Sequence, residues 1–315
     1  MVLREIVLAK PTRFEFFELM SDNKKQNNIV HPDHPVRGIL LILASTIFLS
    51  VQDLFSKYLS KSLPGLEITW LRFLMFALLL SPVALMSPGV FRASRPLMQV
   101  ARAAGLIVSS VFFISSLRFL RIAEATATAF VAPIFVTALS ILFLRERIGF
   151  RRWFATIIGL AGALIIIRPA SGAFQLAALL PVVSAMGWAS ALVITRLIGG
   201  KDGVATTMVY TALVGSLVLM PLMPFVWVWP EWWQLLITAA IGITGMAGQT
   251  IVVFALRYAR ASVLAPFTYT QLVWAAILGF IAFGEIPDGW TFVGAAIIIF
   301  SGLYTAHRER LMRGR

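Results

Sequence analysis

The chain has 315 residues, 59% of them hydrophobic and only 13% charged, well below the roughly 25% charge of soluble domains. Its net charge of +13 would suit nucleic acid, but the basic residues stand at the ends of apolar runs rather than on one face, which selects a membrane protein. Cysteine is absent and the three histidines (His31, His34 and His307) lie outside the apolar runs, which excludes disulfides, thiol chemistry, cysteine metal sites and a histidine triad.

In chain order, residues 1–35 come first as a tail. Val2–Met20 mixes apolar residues with charges and a proline, Ser21–His34 is polar and reads as disordered, and 12–20 fit an interfacial amphipathic helix. Met20-Ser-Asp-Asn-Lys-Lys has the character of a natural start, so residues 1–19 are expected to be either a cytoplasmic tail or a misassigned extension. A membrane-crossing helix needs about 20 mostly apolar residues. Ten such runs are predicted, at 37–56, 68–86, 97–117, 123–144, 152–168, 173–197, 204–226, 233–256, 261–284 and 288–306. No small-residue cleavage site follows the first run, which is therefore expected to be a retained helix. Turn or charge clusters separate the runs: Pro64-Gly65, Pro88-Gly89, Arg145-Glu-Arg147, Arg168-Pro169, Gly199-Gly200 and Pro287-Asp288. Pro133, Pro181, Pro221 and Pro266 fall inside runs, where neighbouring helices must satisfy the freed carbonyls.

Lysine and arginine predict the orientation. With the amino terminus in the cytoplasm, 21 of 27 basic residues fall inside, five outside, and Arg72 lies within a run. Both ends are then cytoplasmic. The segment 226–233, with four tryptophans and no basic residue, fits an outer aromatic belt. The cluster Arg145, Arg147, Arg151 and Arg152 and a basic tail at 307–315 would meet anionic lipid heads on the cytoplasmic side.

The two halves repeat. Leu117-Arg-Phe-Leu-Arg121 leads a run ending Phe143-Leu-Arg-Glu146, followed by Trp153 and Gly159; Leu256-Arg-Tyr-Ala-Arg260 leads one ending Ala282-Phe-Gly-Glu285, followed by Trp290 and Gly294. An offset of 139 matches Arg118 with Arg257, Arg121 with Arg260 and Glu146 with Glu285. The expected fold is all-α and integral to the membrane. Ten helices form two repeats (36–170 and 171–306) of five runs each, and an odd number of runs inverts the second repeat relative to the first, around a central cavity.

The segment Arg121-Ile-Ala-Glu-Ala-Thr-Ala-Thr-Ala-Phe-Val-Ala-Pro-Ile-Phe135 with Leu144-Arg-Glu-Arg147, and Ala265-Pro-Phe-Thr-Tyr-Thr-Gln271 with Phe283-Gly-Glu285, resemble EamA-type transporters of the drug/metabolite transporter superfamily. The resemblance implies a five-plus-five inverted arrangement and alternating access. Within that superfamily the chain is similar to the bacterial branch of riboflavin and S-adenosylmethionine carriers. The reading is a secondary transporter of a small organic metabolite across a bacterial inner membrane, riboflavin foremost. The alternatives are amino-acid, amine or S-adenosylmethionine carriage in either direction.

The chemistry available agrees. Gly200-Lys201 lacks a Walker glycine, position 195 being threonine, so no nucleotide-driven motor is expected. An intramembrane enzyme would need paired aspartates, a metal cluster or an activated nucleophile, and none is legible; no cofactor, metal or nucleic acid is expected. The oligomeric state stays open, a dimer included. Arg72 is a charge at membrane depth, which costs roughly 2.5–3.5 kcal/mol on insertion scales and so normally faces protein or a cavity. It serves either as a ligand for an anionic or zwitterionic group or as a structural partner of Asp53 or Glu67. Asp53 and Glu124, expected at similar depth, are the proton or gating groups. Gln249, Tyr269, Gln271, Trp274, Ser184 and Trp188 are the expected pocket lining, since aromatic walls with a few convergent polar groups describe a small-molecule site. Gly242, Gly245 and Gly248, and Gly159 with Gly162, are expected to allow close helix packing.

Overall fold

The computed structural model describes residues 35–144, 176–198, 202–258 and 267–313, with isolated positions at 157–158, 161–162, 164–165 and 264. The tail before residue 35, most of the fifth predicted run, the arginine cluster with Glu146, and Pro266 lie outside the described residues. Within them every regular element is helical: α1 Pro35–Ser60, α2 Gly65–Met86, α3 Pro96–Ser116, α4 Ile122–Ala129, α5 Ala132–Leu144, α6 Leu179–Ile198, α7 Val204–Leu219, α8 Met223–Val226, α9 Trp232–Tyr258, α10 Thr270–Phe283 and α11 Gly289–Arg313. Six helical stretches among the described residues are long and apolar enough to cross a bilayer, and Thr270–Phe283 and Gly289–Ser301 are shorter apolar helices.

Prolines shape the departures from simple rods. Pro133 has no N–H to offer the carbonyl of Ala129, and the predicted run 123–144 breaks there into α4 and α5. Phe130 and Val131 make the turn, with the Phe130 amide donating to both Thr126 and Ala127 at 3.2 Å. The run 204–226 likewise ends in a 3-10 turn at Met220–Leu222 around Pro221, followed by the short α8.

Helix pairing obeys one exchange rule. α1 packs on α9 as α6 packs on α3; α10 packs on α1 as α5 packs on α6; α9 packs on α2 as α3 packs on α7. α2 with α7, and α4 with α10, pair across the centre. Swapping the first half for the second maps all of these pairs except α4–α10 onto one another, so the sequence duplication is also a duplication of packing. The α3–α6 contact shows why small residues are needed. A Cβ on Gly105 would lie 2.8 Å from the Gly187 carbonyl oxygen, and one on Gly187 would lie 2.7 Å from that of Gly105. The backbones themselves touch, which association in lipid favours through van der Waals contact. Gly162 stands in the same relation to Gly294 of α11, 2.8 Å from its carbonyl oxygen. Gly242, Gly245 and Gly248 of α9 pack against Met75, Gln52 and Leu49 respectively.

Candidate functional site

Asp53 and Gln52 lie near the middle of α1 and are almost wholly buried, at 6% and 7% exposure. An ionised or hydrogen-bonding side chain withdrawn from water needs partners, and α10 supplies one. Gln271 Nε2 donates to Asp53 Oδ2 at 3.1 Å, while Gln52 Nε2 donates to Oδ1 at 3.4 Å. Ser50 donates to the Gln271 carbonyl at 3.4 Å and the hydroxyls of Thr46 and Thr270 meet at 3.1 Å, so α1 and α10 share a polar seam.

Arg72 reaches into the same region from α2, within electrostatic range of Asp53. Its guanidinium donates to the Ser110 hydroxyl of α3 and lies over the rings of Phe73 and Phe76, 4.9 and 5.8 Å from their centroids. Cation–π contact of this kind is worth about 0.5–2 kcal/mol. The Nε–H is enclosed and has no acceptor among the described residues. Neither Asp53 nor Glu67 forms an ion pair with Arg72: Glu67 accepts the Val228 amide at 3.1 Å, and its other oxygen is buried without a partner. Asp53 and Arg72, expected at similar depth from the sequence, and Gln271, expected as pocket lining, are thus brought to one region by three helices from both halves.

Other expected residues fall elsewhere. Tyr269 is buried at the start of α10, edge to face with Phe130 at 5.0 Å. Ser184 of α6 meets Ser109 of α3 at 3.1 Å, and Trp188, one turn on, is 39% exposed on the outer side of its helix. Gln249 and Trp274 are half-buried. Glu124 sits in the first turn of α4, paired with Arg121 at 3.3 Å; no ion pair or hydrogen bond among the described residues joins it to Asp53 or Arg72.

A second polar cluster closes one end of the bundle. Gly284, in the left-handed region at φ 67°, caps α10. Its amide donates to Phe280 at 2.9 Å and the next amide to Gly279 at 3.2 Å, the Schellman turn that glycine makes without steric cost. The turn aims Glu285 back at α1, where Lys57 Nζ lies 2.5 Å from Oε1. The other carboxylate oxygen accepts the Ile122 amide at the N-terminus of α4, at 3.3 Å, a position favoured by the helix dipole. Lys57 also donates to the Leu120 carbonyl at 2.7 Å and Arg121 to that of Ile286 at 2.8 Å. Three of these contacts, Lys57–Glu285, Ile122–Glu285 and Arg121–Ile286, join the two halves at this end. Sequence reasoning counted Lys57 only toward orientation and Glu285 only toward the repeat. A usable signal was present: Lys57 is one helical turn from Asp53 and thus on its face.

At the other end, Asp202 accepts the Ser94 amide at 2.7 Å and the Gln99 amide at 2.8 Å. Burial works to raise its carboxyl, but those hydrogen bonds win and hold it below the ordinary aspartate value. Arg102 donates to Thr195 at 2.9 Å and Thr211 at 2.7 Å. No group of His, Asp or Glu among the described residues has the geometry of a metal site.

Comparison with known proteins decides the family. The profile of the EamA-like transporter family matches twice, over residues 36–168 and 175–306. The chain belongs to the EamA-like transporter family. This EamA protein is 28% identical over 279 residues to the S-adenosylmethionine uptake transporter of Rickettsia prowazekii, covering 87% of this chain and 94% of that one. It is 29% identical over 292 residues to the riboflavin transporter of Vibrio cholerae, covering 88% and 95%, and 29% identical over 273 residues to the pseudopaline exporter CntI of Pseudomonas aeruginosa, covering 83% and 93%. A solved crystal structure shares the fold, with a TM-score of 0.58 at 22% identity over 87% of this chain and 98% of that one. It is a multi-pass membrane protein of the transporter class, with a small molecule as its substrate.

Proposed function

We propose that this EamA protein is a secondary carrier of the bacterial inner membrane, moving a small organic metabolite by alternating access between two inverted five-helix halves. The observation that carries the reading is the polar cluster of buried Asp53 with half-buried Arg72 and Gln271, set in helices otherwise apolar and drawn from both halves. Charges at membrane depth are costly and mark transport pathways. Substrate sites of inverted-repeat carriers lie where the halves meet. Tyr269, Ser184, Gln249 and Trp274 extend the lining toward α6, α9 and α10, and Trp188, on the exposed side of α6, does not belong to it. The family and the relatives named as transporters favour a carrier over an intramembrane enzyme.

With both termini cytoplasmic, as the lysine and arginine distribution supports, the Lys57–Glu285 end faces outward and the Asp202 end faces inward. The interhalf ion pair then closes the outer end, and opening requires it to part. Asp53 is the group placed to exchange a proton with the driving gradient, and Glu124 is the second such group, at the outer end. The relatives' names put S-adenosylmethionine, riboflavin and pseudopaline in the range of substrates to test, with import and export both open.

Reconstituted vesicles test the reading. Labelled S-adenosylmethionine or riboflavin should enter saturably, and an uncoupler should reduce the flux. Chemical conversion of the label without net movement would refute carriage and support an enzyme.

A further inference from the structure

α2 and α7 are repeat mates. They begin at Gly65 and Val204, 139 residues apart, and pack on each other across the centre of the fold. Inversion therefore builds two grooves between them from matching positions, one at each end of the bundle. The two grooves are filled differently.

Indole fills the outer one. Trp70 Nε1 donates to the Ser216 carbonyl of α7 at 2.9 Å, and the Trp70 ring meets Trp227 edge to face at 5.8 Å. Both rings pack on the cluster that holds Leu219 and Met223. The offset of 139 pairs Trp70 with Val209, Trp227 with Pro88, Leu219 with Leu80 and Met223 with Ala84. At the inner end Val209, Leu80 and Ala84, with Ala77, Leu213 and Phe91, line a cavity of about 240 Å³. Smaller side chains thus stand where the outer groove has two tryptophans and a methionine.

The walls of the inner groove set the kind of occupant. They present no polar surface, and the Ser81 hydroxyl at the edge is spent on the Leu78 carbonyl at 2.7 Å. A cavity water needs about two to four polar partners, so this groove takes hydrocarbon. Leu85, Phe91 and Leu213 are exposed around it, which opens it sideways to the bilayer.

Charge stands at the mouth. α2 has 22 residues, about 33 Å at 1.5 Å each, so the turn Pro88–Phe91 beyond its end lies at head-group depth. Tyr210 of α7 pins that turn by donating to the Phe91 carbonyl at 3.0 Å. Arg92 follows, exposed, and its guanidinium has no hydrogen bond or ion pair among the described residues. Its neighbours are committed: Arg95 donates to the Leu197 carbonyl at 3.0 Å, and Arg102 to Thr195 and Thr211. A guanidinium binds phosphate as a planar fork, and basic residues at this depth attract anionic lipids.

We propose that the inner α2–α7 groove binds one acyl chain of an anionic phospholipid, with the lipid phosphate on Arg92. In the orientation given above this is a lipid of the cytoplasmic leaflet. The chain completes at the inner end the wedge that Trp70 and Trp227 form at the outer end.

Lipid retention by the purified full-length protein in detergent tests it, read by native mass spectrometry and thermal shift. The probes are dioleoyl phosphatidylglycerol, dioleoyl phosphatidylethanolamine, and glycerophosphoglycerol, which has the anionic head and no chains. One phosphatidylglycerol should stay bound and raise the unfolding midpoint. It should bind at least about ten-fold more tightly than phosphatidylethanolamine, whose own ammonium competes for the phosphate, as loss of a charged hydrogen bond implies. Glycerophosphoglycerol should neither stay bound nor stabilise. Val209→Trp places at the inner position the indole that Trp70 has at the outer, and should abolish retention; Arg92→Gln should bring the two lipids level. If Val209→Trp does not fold, Leu213→Trp at the exposed rim carries the same expectation. Equal retention of both lipids by the wild type, adventitious annular lipid only, overturns the proposal, as does wild-type retention in a filled-groove variant. A change of oligomeric state in that variant with lipid retention unaltered would assign the face to a second copy of the chain and overturn it too. The carrier reading is decided separately, by flux.

Discussion

Phe130 and Tyr269 meet edge to face, with ring centroids 5.0 Å apart and planes at 76°, and they are separated by the same 139 positions that relate Arg118 to Arg257. Each is a turn residue at a helix end, Phe130 at φ −68°, ψ 2° and Tyr269 at φ −64°, ψ −16°. A residue can touch its own repeat mate only beside the axis that relates the halves. The pair therefore marks that axis, between α4 and α10. Aromatic pairs of this geometry contribute about 0.5–1.5 kcal/mol beyond area burial. A double-mutant cycle of Phe130→Ala and Tyr269→Ala, read by thermal unfolding in detergent, should return a coupling of about that size, and additive effects would show that the rings do not hold the halves together.

Lys57 and Glu285 offer the most direct test of how the bundle opens. Lys57→Glu and Glu285→Lys should each reduce transport several-fold, because each leaves two like charges 2.5 Å apart in place of an ion pair. The double exchange should recover a large part of the loss. The natural chain has no cysteine, so a single cysteine at Gln271 can report access. In a Lys57→Ala background it should react faster with a membrane-impermeant thiol reagent added outside. Unaltered labelling would show that the ion pair does not control the outer end.

Gln271 donates to one carboxylate oxygen of Asp53 and ties α10 to α1. Gln271→Ala strips that donor from a buried acceptor, a penalty of about 1–3 kcal/mol. Transport should fall by about ten-fold or more, with membrane expression near normal. Gln271→Glu should be worse, since it sets a second carboxylate beside Asp53. Wild-type flux in Gln271→Ala would remove this residue from the site.

The loop carrying Asp202 predicts an acid dependence. Its carboxyl is held below the ordinary value by the Ser94 and Gln99 hydrogen bonds in spite of burial, so the unfolded chain binds the proton more tightly than the folded one. The stabilisation is then fully present above the unfolded value of about 3.9 and is lost as pH falls through the lower folded value. Thermal unfolding followed from pH 7 down to 3 should show this loss only at the acid end. Asp202→Asn should reduce stability at neutral pH and flatten the acid limb; an identical limb in the variant would assign the dependence to other carboxylates.

Gly187 packs so closely on α3 that a Cβ would lie 2.7 Å from the Gly105 carbonyl oxygen. Gly187→Val should separate α6 from α3 and cut the yield of folded protein, whereas Trp188→Phe, on the exposed side of the same helix, should leave yield unchanged. Equal yields for the two variants would contradict the packing.

Much of this molecule is written along the chain. Run length and composition established that it crosses a membrane many times, because a bilayer about 30 Å thick imposes its own length on every spanning helix. The 139-residue offset established the duplication, and the packing of α1 on α9 and of α3 on α6 follows it. Arg72 and Asp53 were grouped by depth and Gln271 stood out by itself, since each is an expensive residue in apolar surroundings. Tertiary structure alone decided which of these meet. Periodicity orders residues within one helix, but the 3.1 Å contact between Asp53 and Gln271 joins α1 to α10, and nothing in either helix names the other. The same limit hid Lys57–Glu285: a lysine and a glutamate at helix ends read as surface charges until the left-handed turn at Gly284 brings the carboxylate onto α1. Glu124, expected at similar depth to Asp53 and Arg72, is paired with Arg121 one turn away in the chain. Depth is a property of sequence position; proximity across helices is a property of packing.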